Sequence, residues 1–154
     1  MNQYQLAEIN IARMKGININ DPVMKEFVDN LDAVNALAEN SPGFIWRFKD
    51  DSNNATAFNP FNDEQVIINI SVWEDIETLR DFMYNTWHAD FMKRRREWFH
   101  RFGKLYTAMW WTPAGKFPTV EEAIDNLDYL QKNGATEKVF DFKNIFNAPV
   151  ATWK

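Results

Sequence analysis

The chain has 154 residues and a formal net charge of −5 at pH 7, and it contains no cysteine. The length suits one domain with a full hydrophobic core, and the absence of cysteine excludes disulfides, thiolate nucleophiles and cysteine-ligated metal centres. A negative domain is also a poor partner for nucleic acid. No signal-peptide pattern and no bilayer-length apolar stretch is visible, which predicts a cytoplasmic protein without a membrane partner.

Apolar spacing and capping signals divide the chain into a series of strands and helices. In chain order these are a strand at 4–15, a helix from 21 to about 41, strands at 44–49 and 64–73, a helix at 74–85, a helix from 86 or 87 to about 102, a strand at 104–111, a helix from 119 to 134 and a short strand at 138–142. A polar segment at 50–63 is predicted to be a loop.

The helix boundaries rest on capping residues. Asp21 followed by Pro22 is typical of a helix start. Thr119 and Glu122 have the spacing of a capping box, and Gly134 supplies the matching stop signal. The predicted elements are therefore bounded as well as periodic.

The order of these elements is that of a split βαβ arrangement. The predicted fold class is α+β, a ferredoxin-like antiparallel sheet covered by helices on one face, in a single domain spanning 1–154. Ala7, Ile9 and Ile11 share one face of the first strand, and the strand at 64–73 carries large apolar residues on both faces. The second face of the sheet therefore needs a cover. No helix is left over for it, so we expect a second copy of the chain to cover it in a symmetric homodimer.

Residues 85–100 combine both histidines of the chain with four consecutive cations at 93–96. On a helix with about 100° per residue, His88 and Arg95 fall on the same narrow stripe as Phe91 and other apolar side chains. The other cations fall on the solvent side. Binding of single-stranded nucleic acid would require cations and aromatic residues on one surface, so no nucleic-acid partner is predicted.

Two interpretations of His88 and Arg95 follow. In one, Arg95 pairs with an internal Asp or Glu and His88 bonds a backbone carbonyl, because a buried charge or polar group needs a partner. In the other, both act as catalytic residues in a pocket between helix and sheet. The helix N-terminus near His88 favours the neutral imidazole, which can act as a base. The residues predicted to bind the substrate there are Asn69, Ser71, Phe91, Trp110 and Trp111.

The sequence predicts no protein-ligated metal ion. His88 and His100 lie about 120° apart around a straight helix, so they cannot bind one ion together. A haem iron needs only one axial histidine, which leaves haem as a candidate cofactor with His88 as its ligand. Nucleophile-elbow, phosphate-loop and dinucleotide-binding motifs are all missing.

Two long segments carry a resemblance to a known family. The segments NISVWEDIETLRDFMYNTWHADFMKRRREWF and MWWTPAGKFPTVEEAIDNLDYLQKNGATEKVFDF are similar to the family catalogued as domain of unknown function 3291. The resemblance extends over about 4–149 and reaches the dimeric α+β barrel superfamily, which includes antibiotic-biosynthesis monooxygenases and haem-degrading enzymes. It implies a ferredoxin-like protomer, a homodimer closed sheet to sheet and a pocket between sheet and helices.

Two functions follow from the residues and this resemblance. The first is a monooxygenase-like enzyme that acts on a small hydrophobic or aromatic substrate, without a cofactor or with haem. His88 would be its base or axial ligand, and Arg95 would hold a substrate oxyanion or carboxylate. The second is a non-catalytic homodimer that binds or senses a small molecule. The resemblance assigns no reaction, because one fold supports many chemistries.

Overall fold

The computed structural model describes residues 3–49, 63–101 and 106–150. Its strands are β1 (Tyr4–Arg13), β2 (Phe44–Arg47), β3 (Val66–Trp73) and β4 (Thr107–Pro113). A 3-10 turn at Pro22–Met24 precedes the helices α1 (Lys25–Glu39), α2 (Ile76–Asn85), α3 (Trp87–Lys93), α4 (Arg95–Trp98) and α5 (Val120–Asn133). The predicted loop at 50–63, except Asp63, and the start of the strand predicted at 104–111 lie outside the described residues.

The strands form one sheet in the order β2-β3-β1-β4, and every neighbouring pair is antiparallel. β1 and β3 pair from Leu6 opposite Trp73 to Arg13 opposite Val66. One helix connects β1 to β2, and α2 to α4 connect β3 to β4, as in the split βαβ arrangement of ferredoxin-like folds. The predicted fold class, a ferredoxin-like α+β fold with an antiparallel sheet, is thereby confirmed.

The two faces of the sheet differ in chemistry. Because successive residues of a strand point to opposite sides, β1 contributes alternately to each face. The Glu8 face of the sheet carries Leu6, Glu8, Asn10 and Ala12 of β1, together with Asn69 and Ser71 of β3, and the Ile9 face carries Ala7, Ile9 and Ile11. The predicted sharing of one face by those last three residues is confirmed.

Three helices pack on the Glu8 face. Leu6 is buried in a cluster with Phe82 of α2. Ala12 is buried in a second cluster with Phe27 of α1 and Trp98 of α4. The polar part of the face lies between these two clusters, where Glu8 and Ser71 are buried and Asn69 is exposed.

α5 covers the Ile9 face. Ala123, Leu127 and Leu130 are buried in one cluster with Ile9 and Trp110. The inference that no helix remains for this face is therefore wrong, since the predicted C-terminal helix fills it within the same chain. An uncovered sheet face no longer argues for the homodimer.

Leu130→Ala should lower the free energy of unfolding by about 2–5 kcal/mol, because it leaves a cavity between α5 and the sheet. Leu130 is 0% exposed. Asp125 is exposed on the same helix, so Asp125→Ala should change the free energy of unfolding by less than about 0.5 kcal/mol. Urea unfolding followed by tryptophan fluorescence measures both. Equal effects would mean that α5 does not pack on the sheet.

The predicted helix boundaries are largely confirmed. The Val23 backbone N–H donates to the Asp21 carboxylate over 3.1 Å, although a 3-10 turn separates this cap from α1. The Glu122 backbone N–H donates to the Thr119 hydroxyl over 3.0 Å at the start of α5. Gly134 follows the helix with φ +74°, a left-handed conformation that favours glycine.

Two predicted elements are wrong. The helix predicted from 86 to about 102 is divided into α3 and α4 at Arg94, which has φ −89° and ψ 4°. The Arg94 guanidinium pairs with Glu26 and Glu97, which fastens this junction to α1. The strand predicted at 138–142 is reduced to a bridge between Phe140 and Met109.

Candidate functional site

A cavity of about 590 Å³ lies on the Glu8 face of the sheet, under α1, α3 and α4. Its volume falls within the usual range of small-molecule sites. Most of its lining is apolar or aromatic. The main apolar side chains are Phe27, Leu31 and Val34 from α1, Ile67 from β3, and Phe91, Met92, Trp98 and Phe99 from the α3–α4 region.

Aromatic rings form one wall of this cavity. Phe27 and Phe91 stack with ring centroids 5.7 Å apart and planes 27° apart. Trp98 packs on Phe91 at 5.0 Å, and Phe99 meets Phe27 edge-on at 5.0 Å. Each ring is held by at least one other ring, so the wall offers a preformed surface to a hydrophobic ligand.

Glu8 is a buried carboxyl at the sheet side of the cavity. It is 3% exposed and lines the cavity. Asn10 Nδ2 donates to Oε1 over 2.6 Å, and the Ser71 hydroxyl donates to Oε2 over 2.8 Å. The Trp73 indole N–H donates in turn to the Ser71 oxygen over 3.0 Å. These bonds fix the position of the carboxyl within the cavity.

Burial raises the pKa of Glu8 from 4.5 to about 7, although the hydrogen bonds from Asn10 and Ser71 act in the opposite direction. Removal from water disfavours the charged carboxylate, and that effect is the largest here. Near pH 7 the carboxyl can therefore both release and take up a proton. A group with this property in a cavity is suited to general acid–base chemistry.

The sequence prediction missed Glu8. A single glutamate in a strand usually points to solvent, and its partner Ser71 lies in another strand, 63 residues away. One signal was available. Glu8 is flanked by Leu6 and Asn10 at period two, so alternation places its side chain on the face opposite Ala7, Ile9 and Ile11.

His88 both contacts a backbone carbonyl and lines the cavity, so features of both predicted interpretations are present. Its Nδ1 lies 3.3 Å from the Met83 carbonyl oxygen, and its ring packs on Phe82 with centroids 4.6 Å apart. It also lines the cavity. Burial lowers the pKa of His88, and the bond to Met83 opposes that shift only in part. Burial therefore favours the neutral imidazole.

Arg95 lines the cavity between two aromatic rings. Its guanidinium carbon lies 4.6 Å from the centroid of Tyr106 and 5.4 Å from that of Phe99. The predicted pairing of Arg95 with an internal Asp or Glu is not seen within residues 3–49, 63–101 and 106–150. Cation–π contacts stabilise the charge there, while its N–H donors have no carboxylate acceptor in those ranges.

The other three cations of the run at 93–96 have surroundings that differ from those of Arg95. Arg94 lies on the solvent side as predicted, with 38% of its side chain exposed, and there it pairs with Glu26 and Glu97 and lies 4.9 Å over Trp98. Lys93 and Arg96 are exposed, as predicted. The four charges therefore serve different surroundings and do not form one basic surface.

Three of the residues predicted to bind substrate lie at or beside the cavity. Asn69 and Phe91 line it. Ser71 is buried beneath Glu8 and contributes through its hydrogen bond to that carboxyl. Asn69 and Ser71 lie on the Glu8 face of the sheet, and Phe91, His88 and Arg95 line the same cavity from the helices.

The placement predicted for the two tryptophans of β4 is wrong. Trp110 pairs with Ala7 in the sheet and packs on the Ile9 face with α5. Trp111 is on the Glu8 face, but its indole N–H donates to the Phe146 carbonyl over 2.8 Å, outside the cavity lining. Consecutive strand residues cannot share a face, and the segment that contains Phe140 and Phe146 occupies the side of Trp111.

Within the described ranges, no group of three or more His, Asp or Glu side chains is placed to hold a metal ion. No helix in those ranges has both the length and the apolar character needed to cross a membrane. The cavity on the Glu8 face is therefore the candidate functional site.

The sequence matches the model of the family Domain of unknown function (DUF3291) over residues 5–154. No curated protein is similar enough in sequence to count as a match. Among solved structures, a protein of unknown function from Nitrosomonas europaea is 15% identical, with a TM-score of 0.49, over 77% of this chain and 99% of that one. SnoaB, a cofactor-independent oxygenase from Streptomyces nogalater, is 14% identical, with a TM-score of 0.48, over 73% and 95%.

Proposed function

The chain belongs to the family Domain of unknown function (DUF3291). Because that description names no activity, we propose a function from the cavity itself. The protein is an enzyme that binds a small hydrophobic or aromatic substrate between sheet and helices and removes a proton from it in a monooxygenase-like reaction. The observation that carries the proposal is Glu8, a 3% exposed carboxyl with a pKa of about 7 in an otherwise largely apolar cavity.

The walls of the cavity support the choice of substrate. Phe27, Phe91 and Trp98 present ring faces that exclude water, and an apolar body gains about 25 cal/mol for each Å² that it buries there. The few polar groups can then orient the ligand, as in most small-molecule sites.

Glu8 supports the choice of chemistry. As a carboxylate it can accept a proton from a C–H or O–H group of the bound substrate, and as the acid it can return one. Deprotonation leaves an electron-rich substrate anion that reacts with molecular oxygen, the co-substrate. One oxygen atom forms a new carbonyl on the substrate, and the other leaves as water with the two hydrogens that the substrate loses. The neutral His88 is a second acceptor in the same cavity. The oxygenase class itself comes from the sequence resemblance to the superfamily of antibiotic-biosynthesis monooxygenases.

His88 is the residue that would hold haem. Its Nδ1 lies 3.3 Å from the Met83 carbonyl oxygen, and histidines that ligate metals commonly donate their second ring N–H to such a group. The donor chemistry of His88 therefore fits a haem-iron ligand, and haem, if bound, would supply oxygen activation. If haem binds this way, wild type mixed with haem shows a Soret band that His88→Ala lacks. The same band in both proteins would remove haem from the proposal.

Glu8→Gln should lower the rate of oxygen uptake with a panel of small phenols and naphthols by about 10²–10⁴-fold, because glutamine cannot accept the proton. Ser71→Ala is the matched control, since it removes a hydrogen bond to Glu8 and keeps the carboxyl, and it should lose much less activity. Full activity in Glu8→Gln would contradict the proposed role of the carboxyl.

A second candidate function is non-catalytic binding of a small molecule. The observation that favours it is that both oxygens of Glu8 already accept hydrogen bonds from protein groups, Asn10 and Ser71. A carboxyl held in this way can simply recognise a ligand. This function predicts that a bound phenol raises the melting temperature while no oxygen is consumed, whereas the enzyme predicts both effects.

We further propose that the protein works as a homodimer in the cytoplasm. The support is the sequence resemblance to the dimeric α+β barrel superfamily. Because α5 fills the Ile9 face within one chain, the contact between two copies would use other surfaces of the protomer. Sedimentation equilibrium at micromolar concentration tests the dimer, and a monomer mass there would contradict it.

A further inference from the structure

We propose that the ligand of this cavity is an anion, a small hydrophobic or aromatic acid whose carboxylate is bound by Arg95. The inference rests on the proposed binding of a hydrophobic molecule and adds the charge and the position of its polar group. It follows from the surroundings of Arg95, from the charges that line the cavity and from the location of the aromatic wall.

The surroundings of Arg95 leave its hydrogen-bond donors available. Tyr106 and Phe99 lie 4.6 and 5.4 Å from the guanidinium carbon, so aromatic rings take up the contacts that stabilise the charge. Within the ranges that the structure describes, no carboxylate pairs with this guanidinium. A guanidinium presents a planar fork of N–H donors that matches a carboxylate in bidentate geometry. Arg95 is therefore positioned to bind such a group from within the cavity.

Arg94 shows what a structural arginine in the same segment looks like. It pairs with two carboxylates, Glu26 and Glu97, and covers a tryptophan ring. Arg95 follows it directly in the chain, contacts two rings in the same way and has no such carboxylates among the described residues. We therefore expect a ligand carboxylate to take the place at Arg95 that the Glu26 and Glu97 carboxylates occupy at Arg94.

The charges around the cavity also favour an anion. Its charged lining, apart from the neutral His88, consists of the cations Arg47, Arg95 and Lys143 and the acids Glu8 and Asp141. Arg47 is compensated by its ion pair with Glu39, which leaves Arg95 and Lys143 against Asp141 and Glu8. Because burial keeps Glu8 largely protonated below pH 7, positive charge slightly exceeds negative charge at the cavity. This local excess occurs in a chain whose formal net charge is −5, and opposite charge raises the local concentration of an anionic ligand.

The aromatic wall lies beside Arg95. Phe99, which contacts the guanidinium, also packs against Phe27, and Phe27 packs against Phe91 and Trp98. An acid whose carboxylate reaches Arg95 therefore places its hydrocarbon part among these rings. Because Phe99 contacts both Arg95 and the aromatic wall, we expect the ring system of the ligand to be attached directly or by a short link to its carboxylate.

A pair of probes that differ only in charge tests this proposal. 2-Naphthoate and 2-naphthamide carry the same ring, and isothermal titration calorimetry measures the binding of each to the intact protein. Wild type should bind the naphthoate about tenfold or more tightly than the amide, the strength expected of a charge-assisted hydrogen bond. Arg95→Gln should lose about tenfold or more for the naphthoate and change little for the amide. Arg95→Lys keeps the charge without the planar fork and should fall between them.

Arg96→Gln is the matched control, because Arg96 is the exposed neighbour of Arg95, and its binding of both probes should equal that of wild type. Equal affinity of wild type for the two probes would overturn the preference for an acid while leaving a hydrophobic site in place. Equal loss of both probes in Arg95→Gln would overturn the pairing with that residue. Failure of both probes to bind wild type would overturn this inference together with the proposed hydrophobic cavity.

Discussion

Glu8→Gln is expected to gain about 3 kcal/mol of stability relative to wild type as the pH rises from 4.5 to 7. In wild type, burial raises the pKa of Glu8 from 4.5 to about 7, so the folded protein holds this proton more tightly than the unfolded chain. At pH 4.5 and below, the protonated glutamic acid resembles glutamine, and the variant should be nearly as stable as wild type.

The sign of the effect follows from proton binding. Between pH 4.5 and 7 the unfolded chain releases the proton of Glu8, while the folded protein retains it. The free energy of unfolding of wild type therefore falls as the pH rises through this window. His88 acts in the opposite direction, because burial lowers its pKa and its protonation destabilises the fold at low pH. His88 is present in both proteins, so the difference between them reports Glu8.

Urea unfolding of both proteins at several pH values across this window measures the difference. The Ser71→Ala variant provides a further test. In wild type, the hydrogen bond from Ser71 lowers the pKa of Glu8. Without that bond the pKa should be higher, so the free energy of unfolding of Ser71→Ala should keep falling to a higher pH than that of wild type. Parallel curves for wild type and Glu8→Gln would contradict a buried, protonated Glu8.

Trp98→Ala is expected to lower the free energy of unfolding by about 3–5 kcal/mol, the range for removing a buried large aromatic side chain. Trp98 is 2% exposed and packs against Phe27 and Phe91. It also supports the guanidinium of Arg94 at 4.9 Å. Its removal opens the aromatic wall and releases α4 from α1, so binding of 2-naphthamide should weaken as well.

Trp87→Ala provides the matched control in the same segment. Trp87 is 43% exposed, although it contacts Phe91 at 5.9 Å. Its removal should cost about 1 kcal/mol or less. Chemical denaturation followed by circular dichroism compares the two variants without relying on tryptophan emission. A loss of stability in Trp87→Ala as large as that in Trp98→Ala would contradict the packing of α4 against α1.

The strands of the sheet and the helical stripe that carries His88 and Arg95 could be predicted from local sequence. Period-two alternation placed Asn69 and Ser71 on one face of β3, and helical spacing placed His88 and Arg95 on one stripe. Both patterns depend only on neighbours in the chain. The division of the helix at Arg94 does not move His88 or Arg95 away from the cavity.

Other parts depend on distant contacts and could not be predicted in this way. The environment of Glu8 requires the register between β1 and β3, which brings Ser71 opposite to it. The amphipathic pattern of α5 shows that the helix buries one side, but it does not say which face of the sheet receives it. The same limit applies to Trp110 and Trp111, since alternation separates them without showing which one faces a cavity.

The central claim is that Glu8 carries an exchangeable proton near neutral pH within a ligand cavity. A ¹³C NMR titration of the Glu8 side-chain carboxyl, with and without 2-naphthoate, tests it most directly. We expect a midpoint near pH 7 in the free protein and a higher midpoint when the anion is bound, because a like charge disfavours the carboxylate. A midpoint near 4.5, the ordinary value for glutamate, or one that 2-naphthoate binding leaves unchanged, would contradict the account.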